Sequence, residues 1–217
     1  MLKVDLHTHS VGSIDGGLRA EDYRRMLQVG GLDAIAVTDH NSIDFAEKLH
    51  AELGDKVIVG EEIKAEEGEI IGLYLKTSVT SGLSAIETVK AIHHQGGLVY
   101  IPHPFETVRR GCLSEAVLNS IVGQVDIVEV HNGRAILQRG TGRARQWAKV
   151  NHKATAASSD AHGPSGWGKS YTLVARAPSR ANLIEQLQTA SHRSGFIGLH
   201  GALYPKMNRL KRRRRSV

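Results

Sequence analysis

Apolar and amphipathic segments alternate along the chain, and this alternation predicts strands and helices in turn. The predicted strands are Leu2–Leu6, Ala34–Thr38, Val57–Gly60, Ile70–Leu75, Leu98–Ile101, Asp126–Val130, Ala154–Ser158 and Tyr171–Ala175. The predicted helices are Leu18–Val29, Ile43–Leu53, Leu83–His94, Leu113–Val122, Ala135–Val150 and Asn182–Ser191. Short, continuously apolar strands separated by helices are typical of a parallel sheet that is buried on both faces.

The number of strand–helix units favours a closed sheet over a small open one. Units at this spacing fit an α/β fold of the TIM-barrel-like kind, a closed or distorted barrel. A length of 217 residues suits one domain, and no interdomain linker or internal repeat is evident. We therefore predict a single domain over residues 1–200 and a separate tail over residues 201–217.

Charge adds a basic tail to this picture. The net charge is +6, yet residues 206–217 contain seven positive side chains and no acid, so residues 1–205 carry a formal charge of −1. Charged termini of this kind are often disordered, and we expect a disordered, solvated tail. The alternative is a tail that contacts nucleic acid or another acidic surface.

Three further features bear on the compartment. No apolar run approaches the ~18 residues of a membrane span, so no membrane partner is expected. The chain enters a predicted strand at once, without the pattern of a secretory signal. The single cysteine, Cys112, excludes an internal disulfide framework and a cysteine-based zinc site. We expect a cytoplasmic protein.

Histidine and acidic residues follow the predicted strands at or just beyond their ends. The candidate ligands are His7, His9, Asp15, His40, Glu61 or Glu62, His103, His131, Asp160 and His162. The carboxyl ends of barrel strands meet at one face, so these side chains are expected to converge there. Residues two apart on an extended segment share a face, which lets His7 and His9 bind one ion. Asp15, on the Gly-rich loop GSIDGG, could instead be an ordinary turn aspartate.

The donor set indicates the kind of metal. It combines imidazole with carboxylate and lacks thiolate, which suits Zn, Mn or Fe without choosing among them. Nine candidate ligands are too many for one ion and suit two or three. A multinuclear site of this composition is typical of a hydrolase.

Five motifs together resemble the PHP family, the polymerase and histidinol phosphatase domain. They are DLHTHS at 5–10, TDHN at 38–41, G-x-E-I at 60–63, HPF at 103–105 and SSDAH at 158–162. The resemblance covers about residues 2–175 and implies a distorted (β/α)7 barrel with a di- or trinuclear centre. It implies His7, His9 and Asp160 on a first ion, Glu62 between the first and second, His103 and His131 on the second, and Asp15, His40 and His162 on a third. Glu69 stands where some relatives have histidine.

Catalytic and substrate-binding roles follow from this picture. Ions at a barrel mouth lower the pKa of bound water toward ~7, and Asp15, His40 or His162 could relay protons. Arg134 is the first candidate for a contact to a substrate phosphate, Arg109 with Arg110 the second and Lys169 the third, because cations of this kind bind phosphate oxygens. Each could equally be a solvated surface cation. No phosphate-cradling GxxxxGK[ST] or GxGxxG loop is present.

The leading functional hypothesis is a metal-dependent phosphoesterase, with a nucleotide or short nucleic acid slightly favoured as substrate by the basic tail. A small phosphomonoester such as histidinol phosphate is the alternative substrate. A metal-stabilised binding module without turnover is the alternative from another class. A metal-dependent amidohydrolase would usually need a lysine at a strand end, and none is evident. The oligomeric state is left open.

Overall fold

The computed structural model describes residues 1–106, 111–136 and 138–215. The strands are β1 Leu2–Asp5, β2 Ala34–His40, β3 Val57–Lys64, β4 Glu69–Leu73, β5 Leu98–Ile101, β6 Ile127–Asn132, β7 Ala154–Ser158, β8 Tyr171–Val174 and β9 Ser191–Arg193. The helices are α1 Ala20–Gln28, α2 Asp44–Leu53, α3 Ala85–His94, α4 Glu115–Ser120, α5 Thr141–Val150, α6 Leu183–Gln188 and α7 Gly198–Arg215. No helix in this described part of the chain is long and apolar enough to cross a membrane.

The strands form one mixed sheet in the order β7-β6-β5-β4-β3-β2-β1-β8-β9. Strands β1 to β3 are parallel, as are β5 to β7, whereas β4 is antiparallel to both of its neighbours and β8 is antiparallel to β1. The prediction of a wholly parallel sheet is therefore wrong for β4 and β8. For β4 the cause is the short connection from β3, which turns through a hydrogen bond from Ala65 N to Gly68 O. A parallel crossover needs a dozen residues or more.

The first and seventh strands meet at their carboxyl ends and nearly close the sheet. The backbone N–H of His9 donates to Ala161 O and that of Asp160 to His7 O, both at 2.9 Å. At the other end of the seam, β8 pairs with β1 and contacts β7. Strands β1 to β7 thus surround one axis, and the prediction of a distorted α/β barrel is confirmed.

Inward-facing apolar side chains fill the lower part of the barrel. Val4, Ile58, Tyr100 and Ile127 belong to one buried cluster, to which α6 adds Leu187. Each fully buried aliphatic or aromatic side chain contributes about 1.5–3 kcal/mol to folding. The packed interior leaves the carboxyl ends of the strands as the place where polar side chains collect.

The basic C-terminal segment is helical and not disordered, which corrects the prediction made for the tail. Helix α7 begins at Gly198 and crosses the boundary predicted at residue 200. Lys, Arg, Leu and Met are good helix formers, and Asn208 and Arg209 hydrogen-bond to the loops around the strand ends. The sequence pattern carries no sign of these tertiary contacts.

Candidate metal centre

Seven predicted ligands and Glu69 lie together at the carboxyl ends of the strands. They form four overlapping groups of three, in each of which the ligand atoms lie within 4.8 Å of one another. The groups are His7 with Glu62 and His103, His7 with His9 and Asp160, His9 with His40 and His162, and His40 with Glu62 and Glu69. Overlapping groups of this kind have the composition of a centre for more than one ion.

The first strand and the segment after β7 supply the deepest part of the cluster. His7 and His9 follow β1 on extended backbone, and their Nε2 atoms lie 3.1 Å apart. Asp160 Oδ1 lies 3.6 Å from His7 Nε2 and 3.5 Å from His9 Nε2. All three residues are fully buried. Asp160 has a φ of 53°, a left-handed conformation that aspartate tolerates better than most residues.

Buried hydrogen bonds set the orientation of the two β1 imidazoles. His7 Nδ1 lies 3.2 Å from Glu129 Oε1, a carboxylate that can only accept. Ser13 Oγ donates to Asp39 Oδ1 at 2.8 Å, so it accepts from His9 Nδ1 at 3.4 Å. Each Nδ1 therefore carries a proton, and each Nε2 faces the cluster, where it would bind a metal ion as metal-binding histidines do.

Two further histidines are oriented in the same way. His162 Nδ1 donates to the carbonyl of Asp160 at 2.9 Å. His103 Nδ1 lies 3.5 Å from Cys112 Sγ, while the thiol donates to the backbone carbonyl of His103 at 3.2 Å. The Nε2 atom of His103 then faces Glu62 Oε1 at 3.1 Å. Cys112 thus contacts a ligand candidate without contributing a thiolate to the cluster.

Glu129 is the functional residue that the sequence reasoning missed. Besides contacting His7, its carboxylate accepts hydrogen bonds from Tyr100 OH at 2.9 Å, His103 N at 2.6 Å and Asn132 Nδ2 at 2.9 Å. Burial raises the pKa of Glu129, but the charge and hydrogen bond of His7 outweigh it and keep the pKa below its ordinary value. The available signal was an acid within DIVEV, a predicted strand of otherwise apolar residues after its first position.

His131 is not brought to the cluster. A β-bulge shifts the register of β6 between Glu129 and His131, so Asn132 takes the next inward position. Asn132 Nδ2 donates to Asp160 Oδ2 at 3.1 Å, whereas the buried Nε2 of His131 makes no hydrogen bond to another described residue. Among the described residues, His131 belongs to none of the four groups. Glu69 Oε2 lies 3.6 Å from Nε2 of His103, the residue with which His131 was predicted to bind the second ion.

Asp15, on the Gly-rich loop GSIDGG, lies beside the cluster. Its Oδ1 atom lies 3.5 Å from His40 Nε2 and 3.7 Å from His162 Nε2, and no hydrogen bond joins it to another described residue. Its Oδ2 atom accepts from Arg209 Nη2 at 2.5 Å. Asp15 is 1% exposed, so this buried carboxylate lies between two imidazoles and a guanidinium.

The histidines of the cluster are shifted in opposite directions: burial lowers the pKa of His9, and burial with the charge of His9 brings the pKa of His162 well below its ordinary value. Burial lowers the pKa of His7, but Asp160 and Glu62 outweigh it and hold the pKa well above its ordinary value. Burial opposes the charged form of His40 as well, yet Glu62 and Asp15 raise its pKa to about 9. Burial raises the pKa of Glu62, and His7 and His40 bring it well below the usual range. The carboxylates therefore remain ionised and attract cations.

The donor atoms fit a divalent cation. Glu62 Oε2 lies 3.2 Å from both His9 Nε2 and His40 Nδ1, yet no hydrogen bond is made to it in the described part of the chain. A buried carboxylate oxygen without a hydrogen bond is costly unless a cation binds it. Imidazole nitrogens and carboxylate oxygens are the donors that Zn, Mn and Fe accept in proteins.

The predicted phosphate contacts differ in their placement. Arg134 lies at the cluster, with Nη2 3.3 Å from Asp160 Oδ2 and Nη1 3.3 Å from the ring nitrogens of His162. Lys169 is not among the described residues that line the cavity at the mouth. Arg109 and Arg110 fall in 107–110, outside the described residues.

A cavity of about 1320 Å³ opens onto the cluster at His40, Asp15, Glu69 and Arg134. Its described lining includes both signs of charge: the cations Lys64, Arg134, Arg139, Lys206, Arg209 and Arg213, and the acids Asp15, Glu66, Glu67, Glu69 and Glu106. The exposed side chains of Ile14 and Ile136 add an apolar rim. His40 is the most exposed histidine of the cluster, with 18% of its side chain accessible, so a substrate would approach from its side.

The fold and site together define a mixed α/β barrel with a metal-competent centre at the carboxyl ends of its strands. Residues 5–159 match the model of the PHP domain, and residues 139–191 match that of the PHP-associated region. The chain belongs to the PHP domain family, as the motifs predicted.

Known proteins resemble the chain in sequence and in structure. The uncharacterised protein MJ1587 of Methanocaldococcus jannaschii is 37% identical over 144 residues, which are 60% of this chain and 82% of that protein. One similar structure is a two-domain protein from Bacteroides vulgatus, described as containing a predicted PHP-like metal-dependent phosphoesterase. The TM-score is 0.72 and the sequence identity 20%, and the match covers 96% of this chain and 69% of the Bacteroides chain. PsfC from Pseudomonas syringae has a TM-score of 0.66 and 16% identity, covering 98% of both chains. The two structures are similar to this chain in fold.

Proposed function

We propose that the protein is a metal-dependent phosphoesterase that hydrolyses a phosphate ester at this centre. The observation that carries the proposal is the contact of Arg134 with both Asp160 and His162 where the cluster meets the cavity. The guanidinium of Arg134 can bind the oxygens of a phosphate whose ester bond lies next to the cluster. Membership of the family supports the same reaction class.

Two or three ions of Zn, Mn or Fe would be held by His7, His9, His40, Glu62, His103, Asp160 and His162, with Asp15 and Glu69 at the edge. Bound ions of this kind offset phosphate charge and lower the pKa of water. The chain's own part is to orient the donors. Glu129 and Ser13 hold the Nδ1 protons of His7 and His9, so that their Nε2 lone pairs face the cluster.

Where only two ions are bound and His40 holds none, His40 is the proposed proton donor to the leaving oxygen. It lines the cavity, and its Nε2 lies 3.5 Å from Asp15 Oδ1, which can hold the Nε2 proton in place. Asp15 and His162 would assist as the proposed relay, since Asp15 Oδ1 is also 3.7 Å from His162 Nε2. General acid catalysis from a residue so placed accelerates a reaction by about 10²–10⁴-fold.

A nucleotide or a short nucleic acid with a terminal phosphate is the favoured substrate. The ligands His7, His9 and Asp160 are fully buried, so a phosphate at a chain end reaches them more readily than an internal diester of a long polymer. Lys206 and Arg213 of α7 line the cavity and would contact further phosphates of the substrate. A small phosphomonoester such as histidinol phosphate is the second candidate.

Phosphate release tests the proposal. The full-length protein, supplied in turn with Mn²⁺, Zn²⁺ or Fe²⁺, would be assayed on p-nitrophenyl phosphate, nucleoside monophosphates, histidinol phosphate and 5′-phosphorylated oligonucleotides. Asp160→Ala is expected to abolish release, and His94→Ala, an exposed histidine on α3, serves as the matched control and retains it. Protein that binds metal but hydrolyses none of these esters would overturn the proposal in favour of a binding module.

A double variant tests the substrate class. Lys206→Ala with Arg213→Ala removes two cavity cations. If the substrate is a nucleotide or oligonucleotide, kcat/KM falls at least tenfold on the oligonucleotide and changes little on p-nitrophenyl phosphate. Equal effects on both esters would favour a small phosphomonoester.

A further inference from the structure

Helix α7 is fastened to the two loops that carry Asp15 and His162. Asn208 Nδ2 donates to the carbonyl of Asp15 at 2.8 Å and to that of His162 at 3.0 Å. Gly17 allows this approach, because a Cβ at that position would lie 2.8 Å from Asn208 Nδ2. The helix is therefore packed closely against the edge of the cluster that is nearest to the cavity.

The close packing brings one basic side chain of α7 onto a ligand candidate. Arg209 Nη2 donates to Asp15 Oδ2 at 2.5 Å, while Asp15 Oδ1 faces His40 and His162. The guanidinium is permanently charged. Asp15 thus already has a cation on one oxygen, at the position where the family resemblance implies a third metal ion.

We propose that Arg209 takes the place of a third divalent ion at Asp15, so that the centre binds two ions tightly. The inference rests on the metal centre of the proposed function. A divalent ion held by Asp15 Oδ1, His40 and His162 would lie a few ångströms from the guanidinium, and like charges at that distance repel strongly. The two cations would also share the charge of one carboxylate. The ion between Asp15 and His162 is therefore the one whose affinity Arg209 lowers.

The alternative role for Arg209 is to position Asp15 as a ligand for a third ion. The two roles predict opposite results when the guanidinium is removed. Repulsion predicts that the third ion binds more tightly without Arg209, whereas positioning predicts that it binds more weakly. Arg209→Lys keeps the charge but replaces the planar guanidinium that donates to Asp15 Oδ2, so it separates charge from geometry.

Counting bound Mn²⁺ decides between them. MnCl₂ would be titrated into chelator-stripped full-length protein, and free Mn²⁺ would be measured by electron paramagnetic resonance. We expect two tight sites in the wild type and in Arg209→Lys, and a third site in Arg209→Ala with at least tenfold higher affinity than in the wild type. Arg213→Ala, which removes a charge one turn further along the same cavity wall, is expected to keep two. Asp15→Asn combined with Arg209→Ala is expected to return to two.

Each contrary result has a distinct meaning. A wild type that binds no Mn²⁺ would refute the metal centre of the proposed function, and this inference with it. Two sites in both the wild type and Arg209→Ala, or three tight sites in the wild type that weaken in Arg209→Ala, would refute only the role given to Arg209. Circular dichroism of each variant checks the fold. Because the side chain of Arg209 is half-exposed, its removal is not expected to unfold the protein.

Discussion

Glu129→Gln is the most informative single substitution, because it changes one buried carboxylate while preserving its shape. The carboxylate accepts from His7 Nδ1 and Tyr100 OH on one oxygen and from His103 N and Asn132 Nδ2 on the other. Glutamine keeps one accepting oxygen, but its amide nitrogen would face two donors. At least one charge-assisted hydrogen bond is then lost.

The size of the effect follows from these contacts. A hydrogen bond to a charged group contributes about 1.5–3 kcal/mol, so the free energy of unfolding is expected to fall by about 3 kcal/mol. The ring of His7 also loses the partner that holds its Nδ1 proton. Loss of such a partner lowers metal affinity by about 10–100-fold.

Urea denaturation would measure the stability, and calorimetric titration with Mn²⁺ would measure the affinity. Glu61→Gln is the matched control, since Glu61 is equally buried but accepts one described hydrogen bond, from Val79 N at 2.9 Å. The control is expected to keep its metal affinity. Unchanged affinity in Glu129→Gln, or an equal loss in Glu61→Gln, would refute the role assigned to Glu129.

Four further predictions follow from the same contacts. Burial raises the pKa of Glu61 from 4.5 to about 7, so the folded state binds its proton more tightly and stability falls as pH rises from about 4.5 to 7. Glu61→Gln is therefore expected to match the wild type at pH 4 and to exceed its free energy of unfolding by roughly 3 kcal/mol at pH 8, measured in urea. His9→Ala and Asp160→Ala are expected to abolish phosphate release while the circular dichroism spectrum remains that of the wild type. Arg134→Ala is expected to lower kcat/KM by about 10–100-fold, as loss of a charged phosphate contact does, measured by steady-state kinetics. Tyr100→Phe removes the hydroxyl that contacts Glu129 and is expected to cost about 1–2 kcal/mol in thermal unfolding.

Specific results would contradict each of these. A Glu61→Gln variant whose advantage does not change between pH 4 and 8 would mean that Glu61 has an ordinary pKa. Wild-type rates in His9→Ala and Asp160→Ala would remove the cluster from the reaction. An Arg134→Ala variant with unaltered kcat/KM would leave phosphate binding to other cations, and a Tyr100→Phe variant as stable as the wild type would show that the hydroxyl contributes no net energy.

Much of the barrel and of the cluster was predictable, because both depend on local pattern. Apolar strands of four to six residues stand out in the sequence, and polar residues at their ends converge in any barrel. The pairing of His7 with His9 needed only the two-residue period of an extended chain. The short segment between Lys64 and Glu69 also indicates that β4 runs antiparallel to β3, because a parallel crossover needs a dozen residues or more.

The misplacement of His131 had a different origin. The bulge in β6 adds one residue to the strand and reverses which side chains face inward after Glu129. No residue type in EVHN marks that irregularity, so strict alternation was the only available rule. Helix α7 was missed because its contacts join residues about 190 positions apart, as Asn208 and Asp15 do.

The seam between β1 and β7 gives the cluster a second consequence. His7 and His9 lie on one side of it and Asp160 on the other, so ligands of one ion would bridge the two ends of the barrel wall. Closing a loop of roughly 150 residues costs about 4 kcal/mol in chain entropy. A bound ion would therefore keep this loop closed, and removing it with a chelator is expected to speed unfolding by opening the barrel first at the seam between β1 and β7.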